Sequence, residues 1–185
     1  AVRRQLGKIA HSTLLGLSSE PSAVLAGRLA AVAPQGLSRV FYSDSGSTAV
    51  EIALKIAFQY WKQSGRPEKR EFVALEEAYH GDTIGSVSLG GIGLFHRIFE
   101  PLLFDVHHVP TPHCYRCPLD ETHPACGLRC LDALETLLSE RAGEIAAFVV
   151  EPRVQGAAGM LLQPPGWLAR AAALCRAHDV LLVCD

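Results

Sequence analysis

Small polar residues stand where a helical pattern begins, and they could bind an anion. The stretch is Ser43-Asp44-Ser45-Gly46-Ser47. Thr48 and Glu51 fit a capping box, so one interpretation is an ordinary helix start. The other is that free backbone N–H groups and the helix dipole hold a phosphate, with Gly46 allowing close approach and Ser47 adding a hydroxyl. The stretch is neither a Walker loop nor a Gly-x-Gly-x-x-Gly motif. Taken alone, it leaves both interpretations open.

Two further polar features follow apolar runs. Tyr79-His80-Gly81-Asp82 comes shortly after the run 72–75. An aromatic ring there could stack on a planar ligand, and His80 could donate a hydrogen bond or relay a proton. The ordinary alternative is a packed aromatic and a solvated imidazole. Asp185 follows the run 180–184. A carboxylate facing a pyridine nitrogen keeps that nitrogen protonated, although a single Asp at such a place is also typical of a turn.

Four cysteines lie in a Pro-rich loop at about 111–130, as Cys114-x2-Cys117 and Cys126-x3-Cys130. Paired thiolates at loop spacing are typical of a structural zinc or iron–sulfur site. The alternative is four reduced, partly buried thiols in a cytosolic protein, or disulfides in an exported one. The spacing leaves both interpretations open.

These residues need elements that position them, and the apolar pattern predicts an α/β layer. Continuous apolar runs predict strands that are buried on both faces of a sheet. The four predicted strands are 39–42, 72–75, 145–150 and 180–184. Helical spacing predicts helices at about 24–32, 50–61, 131–138 and 167–177. Alternating strands and helices indicate a largely parallel sheet.

Ligands bind at the carboxyl ends of the strands in such sheets. The polar residues at those ends are Ser43–Ser47, Glu76–Gly81, Glu151 and Asp185. If the strands are neighbours, these side chains form one site.

Bulk composition excludes several classes of protein. The chain has 185 residues, of which 49% are hydrophobic and 19% charged, which suits a folded domain. The net charge is -2 and there is no basic run, so we expect no nucleic-acid partner. No apolar run approaches the ~20 residues of a membrane span, and residues 1–5 lack the apolar core of a signal peptide, so we expect a cytoplasmic protein. Both ends look cut, which predicts a piece of a longer protein.

Four segments together resemble one enzyme family. In order, they are residues 41–51 (FYSDSGSTAVE), 78–83 (AYHGDT), 150–160 (VEPRVQGAAGM) and 183–185 (VCD). They resemble the class III aminotransferases, which are pyridoxal-phosphate enzymes of fold type I. The resemblance implies a three-layer α/β/α large domain that is incomplete here. Residues 1–36 would be its helical lead-in and residues 37–185 its N-terminal part.

Within the class, the resemblance is to the aminotransferases of biotin synthesis. It implies that S-adenosylmethionine gives an amino group to 8-amino-7-oxononanoate, which yields 7,8-diaminononanoate. It also implies a homodimer. The sequence itself does not identify the amino donor.

The resemblance also implies roles for single residues. Gly46 and Ser47 would bind the cofactor phosphate. Tyr79 would lie against the pyridine ring and touch the substrate. Asp185 would pair with the ring nitrogen, and Glu151 would sit beside the ring and position neighbouring groups.

The catalytic lysine of the family is expected downstream of Asp185. Lys8, Lys55, Lys62 and Lys69 are the lysines of the chain, and none follows a motif like the family's. We therefore assign no catalytic residue and expect residues 1–185 alone to be inactive. Two alternatives stay open: another class III enzyme acting on an ω-amino acid or a diamine, and a metal-stapled binding module built on the cysteine loop.

Overall fold

The computed structural model describes residues 1–185, which form two compact units, residues 1–42 and residues 43–185. The first unit contains α1 (Val2–Leu6) and α2 (Glu20–Val32). The side chain of Ser19 accepts the N–H of Ser22 and so caps α2 at its first turn. The predicted helix at 24–32 is confirmed, and the cap explains why it begins earlier, at Glu20.

The predicted strand at 39–42 is wrong. These residues form no regular element and pair with no strand. The hydroxyl of Tyr42 donates to the carbonyl oxygen of Ser22 at 2.7 Å, and the side chain of Phe41 is 71% exposed. An apolar run forms a strand only where a neighbouring strand takes up its backbone hydrogen bonds. Within the first unit, this segment has a helix as its partner instead.

The second unit is built on a four-stranded parallel sheet. The second unit has six strands in all: β1 (Glu71–Leu75), β2 (His107–Val109), β3 (Ile145–Val150), β4 (Val154–Gln155), β5 (Leu161–Leu162) and β6 (Leu181–Cys184). The sheet has the order β2-β1-β3-β6 with every neighbouring pair parallel, and β4 and β5 form a small antiparallel pair. The predicted strands at 72–75, 145–150 and 180–184 are confirmed. The short strand β2 was not predicted.

Helices cover both faces of this sheet. The five helices of the second unit are α3 (Gly46–Gln63), α4 (Ile84–Leu89), α5 (Gly93–His96), α6 (Asp132–Arg141) and α7 (Trp167–Ala177). The predicted helices at 50–61, 131–138 and 167–177 are confirmed as parts of α3, α6 and α7. None of the helices is both long and apolar enough to cross a bilayer.

Alternate side chains of the strands enter two separate cores. On β1, Val73 joins the core that contains residues of α6 and α7, whereas Ala74 joins the core that contains residues of α3. All six residues of β3 are buried. Burial on both faces explains the continuous apolar runs, because each face needs apolar side chains. The result is the expected three-layer arrangement of helices, sheet and helices.

A buried lysine contacts residues of the sheet and of the helical layers at the amino-terminal edge of the sheet. Lys69 is 1% exposed, and its ammonium donates to the carbonyl oxygens of Ala142 and, at 3.0 Å, of Ile145. The same nitrogen lies 4.6 Å from the ring centroid of Trp61. Desolvation by burial, assisted by the charge of Arg66, lowers the pKa of Lys69. Lys69 therefore has a structural position, far along the strands from the carboxyl edge.

We expect Lys69→Met to destabilise the full-length protein by about 1–3 kcal/mol, because two carbonyl oxygens lose their buried donor. The free energy of unfolding in urea measures this change. The matched control is Lys62→Met on the exposed side of α3, which should shift it by less than ~0.5 kcal/mol. Equal effects of the two substitutions would contradict the structural role of Lys69.

Candidate functional site

The polar residues predicted to meet at one edge of the sheet do meet there. Because β1, β3 and β6 are parallel neighbours, their carboxyl ends share one edge. Glu151 directly follows β3, and Asp185 directly follows β6. The backbone N–H of Asp185 donates to the carbonyl oxygen of Val150 at 3.0 Å, which continues the strand pairing into the site.

The amino terminus of α3 reaches the same edge with a different cap from the one predicted. Ser45 is the N-cap, and its side chain accepts the N–H of Thr48, whose hydroxyl in turn accepts the N–H of Ser45. The predicted capping box of Thr48 and Glu51 is therefore wrong, because the actual capping box, Ser45 with Thr48, lies three residues earlier. The helix begins at Gly46, so Thr48 already lies inside it.

The first amide groups of α3 remain free. The N–H groups of Gly46 and Ser47 have no partner in the chain, since they precede the first intrahelical bond. A Cβ built on Gly46 would meet no atom within 4 Å, so this glycine faces open space. Free N–H groups at the positive end of an 18-residue helix, next to open space, suit an anion.

A cleft of about 520 Å³ opens at this helix terminus. Four of the five predicted site residues line it, and Glu151 does not. The lining residues are Gly46, Ser47, Tyr79, His80, Gly81, Asp82, Thr83 and Asp185. Of the other lining residues, His80 and Gly81 belong to the strand-end segment 76–81 that the sequence indicated. Asp82 and Thr83 were given no role, although their position just after that segment could have indicated them.

His80 and Asp185 form a hydrogen-bonded pair in this cleft. The distance between His80 Nδ1 and Asp185 Oδ2 is 2.8 Å. The His80 side chain is fully buried, and its Nε2 has no hydrogen-bond partner. The Asp185 side chain is 28% exposed. The buried His80 ring therefore holds one carboxylate oxygen of Asp185 in place. The partly exposed carboxylate of Asp185 also lines the cleft.

Tyr79 is fixed at both its backbone and its hydroxyl. Its N–H donates to Glu151 Oε1 at 3.1 Å, and its hydroxyl donates to Asp82 Oδ2 at 2.9 Å. The hydrogen bond to Asp82, with minor help from desolvation, raises the pKa of the Tyr79 phenol. The single hydrogen of the hydroxyl goes to Asp82, so Tyr79 presents its aromatic ring to the cleft.

Glu151 acts behind the cleft. Its second carboxylate oxygen accepts the N–H of Gly156 at 2.8 Å. One carboxylate thus connects the loop after β1 with the loop after β3. Glu151 thus holds the backbone of Tyr79 at the edge of the cleft.

Gly81 is required where it stands. Its φ of +117° is a conformation that residues with side chains rarely adopt. A Cβ on Gly81 would also overlap the hydroxyl of Ser47. The absence of a side chain lets the loop after β1 close onto the start of α3.

The cysteine loop lies outside this cleft. Cys114, Cys117, Cys126 and Cys130 are free and line a narrow cavity of about 20 Å³. No three His, Cys, Asp or Glu side chains of the chain are placed to hold a metal ion. Burial, assisted by the thiol of Cys114, raises the pKa of Cys130 to about 11, so this thiol is no nucleophile at neutral pH.

A model of the aminotransferase class III family matches residues 1–185. The chain belongs to the class III aminotransferases. It is 53% identical over 186 residues to the adenosylmethionine-8-amino-7-oxononanoate aminotransferase of Geobacter sulfurreducens and covers 41% of that protein. Identity to the protein of the same name from Nitratidesulfovibrio vulgaris is 59%, over 34% of its length. The chain therefore spans only 34–41% of the length of these two relatives.

Solved aminotransferase structures have the same fold over the part that this chain covers. The adenosylmethionine-8-amino-7-oxononanoate aminotransferase of Methanocaldococcus jannaschii superimposes with a TM-score of 0.89 at 38% identity, and the match covers 39% of that chain. An amine transaminase from an uncultivated Pseudomonas species, solved in its PLP-bound form, gives 0.91 at 38% identity over 42% of its chain.

The residues of the cleft fit pyridoxal phosphate. The phosphate suits the free N–H groups of Gly46 and Ser47, and the glycine leaves space for it. Tyr79 supplies an aromatic surface, and Asp185 supplies a carboxylate for a protonated ring nitrogen. The cleft thus offers a partner for each of the three chemical parts of this cofactor, namely its anion, its ring and its cationic nitrogen.

Proposed function

We propose that the full-length protein is a pyridoxal-phosphate-dependent aminotransferase that transfers an amino group from S-adenosylmethionine to 8-amino-7-oxononanoate. The product is 7,8-diaminononanoate, an intermediate of biotin synthesis. The observation that carries this proposal is the cleft at the start of α3, which combines an anion site with the carboxylate of Asp185. Eight relatives that are 39–59% identical to the chain carry the corresponding name.

Bound pyridoxal phosphate supplies an electron-withdrawing ring that accepts the electrons released when a proton leaves the carbon bearing the amino group. Within this proposal, Gly46 and Ser47 bind its phosphate through backbone N–H groups and a hydroxyl. Asp185 keeps the ring nitrogen protonated, and His80 holds that carboxylate in position. Tyr79 covers the ring and contacts the substrate, while Glu151 holds the loop that carries Tyr79.

The lysine that this class of enzyme uses is proposed to come from outside residues 1–185. None of the four lysines lines the cleft. Lys55 and Lys62 lie on α3, and Lys69 is buried at the opposite edge of the sheet. We further propose a cytoplasmic homodimer that acts on small molecules.

A second candidate is an aminotransferase for ω-amino acids or diamines. This candidate is favoured by solved omega transaminases from Pseudomonas jessenii, which match the whole chain with TM-scores of 0.90–0.91 at 32% identity. It differs from the first proposal only in its substrates.

One experiment separates the two candidates. The full-length protein with pyridoxal phosphate is incubated with 8-amino-7-oxononanoate and either S-adenosylmethionine or lysine as donor. A parallel reaction contains a diamine and pyruvate, and the products of all reactions are identified by mass spectrometry. We expect 7,8-diaminononanoate with S-adenosylmethionine. Amino transfer from a diamine to pyruvate, without any 7,8-diaminononanoate from either donor, would favour the second candidate. No bound cofactor and no transfer with any of these substrates would overturn both.

A further inference from the structure

The side chain of Tyr79 is held at its two ends, which leaves one motion open. Its backbone N–H donates to Glu151, and its hydroxyl donates to Asp82. These two bonds lie at opposite ends of the residue, so the ring can still turn about its long axis. The energy minimum for this rotation is broad in tyrosine. The plane of the ring therefore depends on what packs against it.

Phe95 packs against the ring of Tyr79. The two ring centroids are 6.1 Å apart and the ring planes make an angle of 72°, which is an edge-to-face arrangement. Phe95 belongs to α5 and does not line the cleft. An effect of the Phe95 ring on a ligand of the cleft is therefore expected to pass through Tyr79.

The segment that leads to Phe95 is fastened to the loop that carries Tyr79. The N–H of Gly91 donates to the carbonyl oxygen of Ala78 at 2.9 Å. A Cβ on Gly91 would overlap the backbone of residues 76–77, so the two segments lie in direct contact. The start of the segment thus has a fixed position beside the Tyr79 loop.

His96 fixes the other end of the same segment. Its side chain follows Phe95 directly, and the residue is only 6% exposed. The His96 ring packs so closely on Gly90 that a Cβ on this glycine would overlap it. Phe95 itself is 45% exposed, but its backbone lies between two anchored points. The ring of Phe95 is therefore presented to Tyr79 from a fixed position.

We propose that Phe95 is a positioning residue, which sets the plane of the Tyr79 ring so that this ring lies against the pyridine ring of the cofactor. This inference rests on the proposed function, because it assumes pyridoxal phosphate in the cleft. The backbone, the hydroxyl and the ring of Tyr79 are each held by a different contact, so the ring is oriented before the cofactor binds. A surface that is already oriented loses little freedom on binding.

The test is a double-mutant cycle on cofactor affinity in the full-length protein. Phe95→Leu removes the aromatic ring and keeps an apolar side chain. We expect it to raise the Kd for pyridoxal phosphate about three- to tenfold, the range that corresponds to the loss of one edge-to-face pair. In a Tyr79→Leu background, the same substitution should change Kd less than about twofold, because the ring that Phe95 orients is gone.

The circular dichroism of the bound cofactor gives a readout of orientation. The signal induced in the absorption band of pyridoxal phosphate depends on how the protein's aromatic ring lies against it. We expect this signal to change in Phe95→Leu. Phe95→Tyr restores an aromatic ring at the same place, so it should keep the wild-type signal and a Kd within about twofold of wild type.

Phe99 offers a matched control close by in the chain. It lies in the short 3-10 turn that follows α5, and its side chain is also 45% exposed. Its ring contacts no other aromatic ring. Phe99→Leu should therefore leave both the Kd and the circular dichroism of the cofactor unchanged.

The outcomes separate this inference from the proposed function. A wild-type protein that binds no pyridoxal phosphate overturns the proposed function itself. A wild-type protein that binds it, together with an unchanged Kd in Phe95→Leu, overturns only the role of Phe95. Equal losses in both backgrounds also overturn that role, because Phe95 then acts without Tyr79. If Phe95→Leu does not fold, Phe95→Met removes the ring instead, and the same coupling to Tyr79 is required of it.

Discussion

We expect Asp185→Asn in the full-length enzyme to lower kcat by about 100-fold or more, the effect of losing one preorganised charge partner. The asparagine still accepts the hydrogen bond from His80, so the geometry of the pair is kept. It carries no negative charge, however, and so no longer holds a proton on the ring nitrogen of the cofactor. Steady-state kinetics with 8-amino-7-oxononanoate measure the loss, and cofactor content shows whether the cleft is still filled.

The matched control for Asp185 is Asp105→Asn, which removes an exposed carboxylate that does not line the cleft. We expect kcat within about twofold of wild type for this variant, as for other surface substitutions. An Asp185→Asn enzyme with kcat within a few-fold of wild type would contradict the assignment of Asp185 to the ring nitrogen.

Gly46→Val should raise the Kd for pyridoxal phosphate by about 10–100-fold, corresponding to the 1–3 kcal/mol that an overpacked contact costs. The side chain would enter the open space beside the first N–H groups of α3, where the phosphate is proposed to bind. Because a Cβ at this position meets no atom of the chain within 4 Å, the fold itself has room for it. Fluorescence titration with the cofactor measures Kd, and thermal unfolding without cofactor measures stability.

Gly143→Val provides the comparison for Gly46. Gly143 lies in the turn after α6, and a Cβ there also meets nothing within 4 Å. It should leave cofactor affinity unchanged. If Gly46→Val binds pyridoxal phosphate as tightly as the control does, the phosphate does not lie at the start of α3.

Long apolar patterns were enough to predict most of the α/β layer. Ile145–Val150 is buried at every position, and its continuous apolar run identifies a central strand without further information. The short strand His107–Val109 carries no such signal, because it has three residues and two of them are histidines. Its pairing with β1 depends on tertiary contacts that no local pattern records.

The cap of α3 illustrates a second limit. Ser45 with Thr48 and Thr48 with Glu51 have the same three-residue spacing, and both sets of residue types suit a cap. The choice between them depends on where the helix starts, and the structure starts it at Gly46 with Ser45 as the N-cap. Glu51 instead accepts the N–H of Gly85, a residue 34 positions away.

The sequence was enough to predict which residues line the cleft, but not which of them form hydrogen bonds with one another. Order along the chain placed Gly46, Tyr79 and Asp185 at strand ends or a helix start, and the sheet brings them to one cleft. The bond between His80 and Asp185 follows only from packing.

The hydrogen bond between His80 and Asp185 joins residues 105 positions apart in the sequence. The chain between them includes β3, α6 and α7, and all of these must be in place before the two side chains meet. Bringing two such distant residues together costs loop-closure entropy, which the contacts of the folded chain must offset. A chain in which these elements are not assembled lacks the carboxylate of the cleft, so a ligand of this cleft binds the native state in preference to it. By mass action, such a ligand raises the free energy of unfolding of the whole parallel sheet as its concentration exceeds Kd.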